Sequence, residues 1–434
     1  MGGNGRMWGW VGVWALLMTG CGPTEEGTTP PVAEQSGVSD GVPGEAQNQP
    51  LPDTISVAPV RPDEQDATPQ PLAPLLQPGF HEALRWSQGV SATTYRLRVP
   101  VGRAGTRLRL AFRSGDGSMT LSKATVARAG ANGALASTPV TVTFNGSQAF
   151  SAGARQRVVS DPVPFTVGFR DELAVSFEVQ GALAVSAIET LPGSFMRSGS
   201  YASTTGALGG SAWNKGIALA TIDVEGTPAR SFVAIGDSIT EGYIGDHDDT
   251  RKAWPSLAES QLGVPIVNAG VSGQGFYDEL QNLDQEVLSL KGVTDCIVLL
   301  GTNDLSSLEL QGLKDRMSLL VSRLKPLCRP WVSTLLPKEK TNYGNYETVK
   351  RDRVAFNEWV RATFPNLIDL EAVTRQPGNV HLFIDGLEVD GIHPSAKGHQ
   401  VMAAEVVRVL KAAGVQPQNG VQPLPAPTDA STTR

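Results

Sequence analysis

SFVAIGDSITEG, residues 231–242, decides the fold. Its apolar run, Phe232 to Ile235, is continuous rather than alternating, which marks a short strand buried on both faces. The run stops at Gly236-Asp237-Ser238, a turn sequence that leaves a serine at the end of the strand. Four later runs resemble it: VPIVNAG (264–270), CIVLLG (296–301), PWVSTLLP (330–337) and NLIDLEAV (366–373). Between and after them, apolar residues recur at helical spacing in LKDRMSLLVSRLKPL (313–327), VKRDRVAFNEWVRATF (349–364) and AKGHQVMAAEVVRVLKAA (396–413). Buried strands alternating with helices predict an α/β domain over 229–414, a flavodoxin-like doubly wound parallel sheet. In such sheets ligands bind outside the carboxyl ends of the strands.

Residues 77–228 follow a different period. TYRLRVPV (94–101), TRLRLAFR (106–113), ELAVSFEV (172–179) and IALATIDVEG (217–226) alternate apolar and polar positions. Gly, Pro, Asn and Asp turns separate them, which predicts an all-β sandwich or jelly roll. Its role is open between carbohydrate contact, packing against the next domain and spacing. Trp86, Tyr95 and Trp213 are the aromatic candidates for contact, although core packing is the commoner fate of such residues.

The 434-residue chain carries a net charge of −7 and no Lys/Arg-rich run, which argues against nucleic acid as a partner. At the N-terminus, Arg6 precedes an apolar run from Met7 to Gly20, too short to span a bilayer comfortably and built like a secretory signal. Met18-Thr19-Gly20-Cys21 resembles the lipobox of bacterial lipoproteins. That resemblance implies a signal peptide at 1–20, lipidation of Cys21 and a membrane partner reached through the lipid anchor alone. Plain cleavage and secretion is the alternative. The Pro/Glu/Gln-rich stretch 21–76 predicts a disordered tether, and 415–434 a disordered tail. Cys296 and Cys328 each open a strand-like run, so neighbouring strands would let them form a disulfide, with buried free thiols as the other reading.

Four residue groups fall at strand ends or before the last helix: GDS (236–238), NAGVSGQG (268–275), GTND (301–304) and DGIHPSAKGH (390–399). Taken singly, each is ordinary turn chemistry. Together they gather a hydroxyl, two glycine loops, a carboxamide, a carboxylate and an imidazole on one rim. A serine hydroxyl needs a base to become a nucleophile, and neutral histidine suits that task. Of five histidines, His393 alone has a carboxylate, Asp390, three residues before it in a predicted tight turn. Backbone N–H groups of Ser238 and Gly273 and the amide of Asn303 would supply oxyanion donors.

These four groups resemble the conserved blocks of the GDSL, or SGNH, hydrolase family, with Ile239 where the family name has Leu. The resemblance covers about residues 230–413 and implies Ser238, Asp390 and His393 as the catalytic triad. It also implies Ser238, Gly273 and Asn303 as the oxyanion hole, with no cofactor. The layout with a preceding β-rich region is similar to that of a secreted bacterial subgroup. The α/β-hydrolase elbow Gly-x-Ser-x-Gly is absent, since Thr240 stands two residues after Ser238. Asp246, His247, Asp248 and Asp249 read as a solvated loop rather than a metal site, so no metal is expected.

The sequence therefore predicts a serine esterase acting on a small-molecule or polysaccharide ester, with acetyl removal from carbohydrate as one form. Lipase or phospholipase action is the alternative within the class. A non-catalytic polysaccharide-binding surface lipoprotein is the alternative outside it. Loops 241–253 and 338–348, the latter with Tyr343 and Tyr346, are expected to line the pocket.

Overall fold

A computed structural model describes residues 73–245 and 249–426. The signal segment, Cys21 and nearly all of the tether lie outside the described residues, as do Asp246, His247 and Asp248. Pro69–Arg434 forms a compact unit.

Its first part is mostly antiparallel. The strands are β1 (Leu75–His81), β2 (Trp86–Val101), β3 (Gly105–Arg128), β4 (Val140–Val142), β5 (Phe150–Ala152), β6 (Arg157–Val159), β7 (Val163–Val167), β8 (Asp171–Val185), β9 (Phe195–Ser198), β10 (Ser211–Ala212) and β11 (Leu219–Gly226). They join in the order β1-β11-β3-β8-β2-β9-β10, with β4 to β7 also paired to β3. The long β3 serves two halves. Residues 107–112 pair with β11, whereas 119–128 pair with β8 after a register shift between Ser114 and Met119. Leu108, Leu110 and Phe112 from one half share a core with Leu97, Val99 and Phe177 from the other. Tyr95 belongs to that core, 5.8 Å from Phe177 and 5.1 Å from Trp213 between ring centroids. Of the three aromatic candidates for ligand contact, only Trp86 is exposed, at 56%.

From Phe232 the pattern is parallel. Strands β12 (Phe232–Gly236), β13 (Ile266–Gly270), β14 (Asp295–Leu299), β15 (Arg329–Ser333) and β16 (Leu367–Ile368) form a sheet in the order β13-β12-β14-β15-β16. The helices are α1 (Ser238–Glu241), α2 (Trp254–Leu262), α3 (Phe276–Leu283), α4 (Leu310–Leu324), α5 (Tyr346–Thr363), α6 (Leu370–Thr374) and α7 (Ala396–Ala412). Every residue of β12 is buried, as a strand with neighbours on both edges and helices on both faces requires. The strand order reverses at β12, and the crevice at such a switch point is where doubly wound sheets bind ligands. The run 366–373 is strand for two residues only, because Asp369 accepts the Ala372 N–H and caps α6.

The two sheets are tied by buried polar contacts. Glu286 receives Arg85 at 2.6 Å and Arg113 at 2.8 Å, and Arg170 meets Glu259 at 2.8 Å. Gln77 donates to the Gly292 carbonyl at 2.6 Å. Packing is therefore one function of the antiparallel region.

Cys296 at the second position of β14 and Cys328 just before β15 form a disulfide with 5.8 Å between Cα atoms. The parallel pairing of these strands brings the two chain segments side by side.

Residues 415–424, read from composition as a disordered tail, are docked instead. Val415 is buried, Gln418 N–H donates to the Gly263 carbonyl at 2.9 Å, and Leu424 N–H to the Ser260 carbonyl at 2.8 Å. Side chains add to these main-chain contacts: Gln418 Nε2 donates to the Gly102 carbonyl at 3.1 Å, and Pro417, Val421 and Pro423 lie around Gly263. The composition of the segment did not reveal this docking.

Candidate active site

Ser238 owes its position to the abrupt end of β12. Gly236 is required there, since a Cβ would lie 2.2 Å from Thr240 Oγ1 and 2.4 Å from the Leu299 carbonyl oxygen. Asp237 then caps α1 by accepting the Ile239 N–H at 3.0 Å. Burial pushes the Asp237 carboxyl up to about 7, against the Ile239 N–H and the Lys338 charge. Its side chain is thus committed to the turn.

Ser238 Oγ lies 2.9 Å from His393 Nε2, although the two residues are 155 positions apart. On the other side of the ring, His393 Nδ1 faces Asp390 Oδ2 at 3.1 Å and Oδ1 at 3.2 Å. Asp390 Oδ1 also accepts the Ile392 N–H at 3.0 Å and the His393 N–H at 2.9 Å. Burial alone would raise the Asp390 carboxyl, but these donors outweigh it and hold the group below its ordinary value. An ionised carboxylate only accepts, so Nδ1 carries the ring proton and the Nε2 lone pair faces the serine hydroxyl. That arrangement can draw a proton from Oγ as it attacks an electrophile.

The other two groups predicted as oxyanion donors lie past the ends of the two strands flanking β12. Gly273, after β13, has φ +77°, a left-handed conformation that glycine adopts without strain, and a Cβ there would meet nothing within 4 Å. Asn303, after β14, donates through Nδ2 to the Gln274 carbonyl at 2.8 Å, which fixes its amide beside the Gly273 loop. Asp304 accepts the Phe276 N–H through both oxygens at 3.1 Å. Burial lifts the Asp304 carboxyl to about 6.

Ser238, Gly273, Asn303 and His393 line one open cleft of about 560 Å³. A second cleft of the same volume, between residues 305–311 and the start of α5, holds none of these four. Loop 338–348 reaches the Ser238 cleft through residues that include Lys338 and Tyr343, and loop 241–253 through Tyr243. Tyr346 stands back, its hydroxyl donating to the Lys338 carbonyl at 2.9 Å.

Several cleft residues were not singled out as site residues from the sequence, Tyr243, Lys338 and Ile188 among them. Tyr243 packs its ring 4.5 Å from that of His393. Lys338 is buried and donates to the Thr302 carbonyl at 2.8 Å. Ile188 comes from the antiparallel region, where its N–H meets Glu241 Oε1 at 3.4 Å. Tyr243 and Lys338 sit in loops that end at the rim, a usable signal; nothing in the local sequence marks Ile188. Two of the other described histidines have structural partners on their rings, whereas His381 Nδ1 is buried with no hydrogen-bond partner among the described residues. His399 accepts the Trp254 N–H on Nδ1 at 3.2 Å and sets Nε2 toward the Tyr243 carbonyl, while His81 Nδ1 meets Thr221 Oγ1 at 3.1 Å. Among the described residues no group of three or more His, Cys, Asp or Glu side chains is arranged to hold a metal ion.

Residues 234–401 match the GDSL-like lipase/acylhydrolase family. No curated protein matches the chain. Among solved structures, it is similar to a G-D-S-L family protein from Desulfitobacterium hafniense DCB-2, at 24% identity over 41% of this chain and 98% of that one, with a TM-score of 0.36. It is also similar to Axe2, an acetylxylan esterase from Geobacillus stearothermophilus, at 19% identity over 42% of this chain and 94% of that one, TM-score 0.34. A GDSL-like lipase from Bacteroides thetaiotaomicron VPI-5482 is similar at 16% identity over 42% and 89% of the two chains, TM-score 0.34. With its four sequence blocks gathered at the switch point of a parallel sheet, the segment 234–401 is a hydrolase domain of the GDSL-like lipase/acylhydrolase family.

Proposed function

We propose that this chain is a serine esterase that removes short acyl groups, acetyl foremost, from carbohydrate. The observation that carries the reading is the unbroken contact chain Ser238 Oγ to His393 Nε2 at 2.9 Å and His393 Nδ1 to Asp390 at 3.1 Å, open to a cleft. Ser238 attacks the ester carbonyl while His393 takes its proton, and Asp390 holds the imidazolium that forms. The tetrahedral oxyanion is received by the N–H groups of Ser238 and Gly273 and the Asn303 amide, each donor contributing roughly 3 to 4 kcal/mol. His393 then protonates the leaving alcohol, water enters, and the same steps in reverse release the acid.

The preference for a short acyl group is the part of the proposal that the ester series decides: the cleft is lined by Ser272, Asn303, Ser306, Lys338, Thr341 and Asn342 but also by Ile188, Tyr243, Tyr343 and Ile392. Export is part of the proposal. It is supported by the apolar run before Cys21 and by the Cys296–Cys328 disulfide, a bond that persists in oxidising compartments. The test is labelling by a fluorophosphonate together with a p-nitrophenyl ester series of increasing chain length. Ser238→Ala should abolish labelling and lower turnover by about 10³ to 10⁶. Activity that rises with chain length would favour the lipase reading instead, and equal activity in Ser238→Ala would overturn the mechanism.

A further inference from the structure

The loop that carries Gly273 separates two clefts. On one side is the catalytic cleft; on the other is an open cleft of about 290 Å³, and Gly273 lines both. The second cleft joins the two sheets, with Trp86 from the start of β2 facing Asp278 and Asn282 on α3. Trp86 is 56% exposed, while most of the other large aromatic side chains of the antiparallel region pack into its core. An indole left in water beside a catalytic cleft loses the burial that normally stabilises it, so a ligand that covers it gains that area back.

The wall behind the indole is polar and prepared. Arg85 has a side chain only 10% exposed, held by Glu279 and Glu286, yet its Nη1 has no hydrogen-bond partner among the described residues. Gln274 donates to Glu279 but leaves its buried Oε1 unmet. Asp278 is exposed on the opposite rim. An exposed indole in a cleft that is also lined by the Asp278 carboxylate, the Asn282 and Gln274 amides and the Arg85 guanidinium matches a pyranose, whose C–H face is apolar and whose edge is hydroxylated. It does not match an acyl chain, which has no edge to bond.

We propose that the Trp86 cleft is a sugar-binding subsite, so that an oligosaccharide ester lies across Gly273 with one ring stacked on the indole and its acylated ring at Ser238. The antiparallel region would then be a specificity element as well as a packing partner. This rests on the esterase reading above, and two arms keep the failures apart. In the first, Trp86→Ala is assayed on p-nitrophenyl acetate and on acetylated hexasaccharides of xylose, glucose and N-acetylglucosamine. The expected result is a KM for at least one hexasaccharide raised at least tenfold more than that for p-nitrophenyl acetate. Equal changes on every substrate, or none, overturn the subsite. In the second arm, binding of the same hexasaccharides to Ser238→Ala and to the Ser238→Ala/Trp86→Ala double variant is measured by calorimetry. Binding that weakens at least tenfold on loss of Trp86 supports the subsite even if the chemistry at Ser238 were wrong. Binding that is undetectable in the single variant, or equal in both, overturns it.

Discussion

Asn303 Nδ2 donates to the carbonyl of Gln274 at 2.8 Å, and this bond joins the loop after β14 to the loop after β13. Asn303 and the Gly273 loop, the proposed oxyanion donors from different strands, are thereby held as one unit. Asn303→Ala should lower kcat on p-nitrophenyl acetate by about 10² to 10³, the usual loss for one oxyanion donor, with KM changed far less. Asn303→Asp should lose more, because it sets a negative charge where the oxyanion develops. A kcat within threefold of the parent for Asn303→Ala would remove this residue from the site.

The two aspartates near Ser238 should respond differently. Asp390 accepts N–H groups from Ile392 and His393 and faces Nδ1, so Asp390→Asn disturbs the ring tautomer and should cost on the order of 10⁴ in kcat. Burial has already pushed Asp237 up to about 7, so Asp237→Asn is close to the protonated form it partly occupies at neutral pH and keeps an acceptor for Ile239. Its loss of kcat should stay within about tenfold, well below that of a triad member. A drop as large as that of Asp390→Asn would mean that Asp237 belongs to the catalytic set.

The sheet and the meeting of Ser238, His393 and Asp390 at its rim could be read in advance for a common reason. Continuous apolar runs such as Phe232–Ile235 have no stable place except a strand covered on both faces, and the polar residues that end them must emerge at the carboxyl rim. Asp390 and His393 were legible because the tight turn that joins them is local. What could not be read depends on contacts between distant backbones. Ile188 enters the cleft through a β-region loop with no motif, and the 415–424 segment docks on residues far away in sequence, through main-chain hydrogen bonds to Ser260 and Gly263 and the Gln418 side chain on Gly102. Trp86 looked no different from Tyr95 in sequence; only the pairing of β2 shows that one is exposed and the other buried.

The Cys296–Cys328 bond closes a loop with a sequence separation of 32, spanning α4. Chain-entropy arguments give about 4 kcal/mol for a loop of that size. The double variant Cys296→Ala/Cys328→Ala should therefore show a clearly lower Tm, with kcat on p-nitrophenyl acetate within about twofold, because neither sulfur lines the cleft. Dithiothreitol should lower the Tm of the parent and leave that of the variant in place. Equal Tm values with and without reductant in the parent would mean that the bond contributes nothing.

Stability should fall in acid through the buried imidazoles. Burial pushes His399 down to about 4 from its ordinary 6.5, and the Trp254 N–H on Nδ1 requires the neutral ring. His81 is likewise pushed to about 4 by burial. In the unfolded chain both rings take up a proton near 6.5, so between pH 6.5 and 4 the unfolded state binds more protons and stability declines as pH falls. At 1.36 kcal/mol per pH unit each ring contributes up to about 3 kcal/mol, present in full above pH 6.5. Glu82 works in the opposite direction. Burial lifts it to about 8, so the folded state holds a proton that the unfolded chain releases near 4.5, and stability is lost as pH rises from 4.5 toward 8. The wild-type profile therefore mixes both slopes, and single variants separate them. His399→Gln keeps a donor and an acceptor in the cavity and should flatten the decline between pH 6.5 and 4, measured by urea unfolding. Glu82→Gln should gain stability relative to the parent as pH rises from 5 to 9. Parallel profiles for His399→Gln and the parent across the acid window would show that the imidazole is not held neutral in the folded protein.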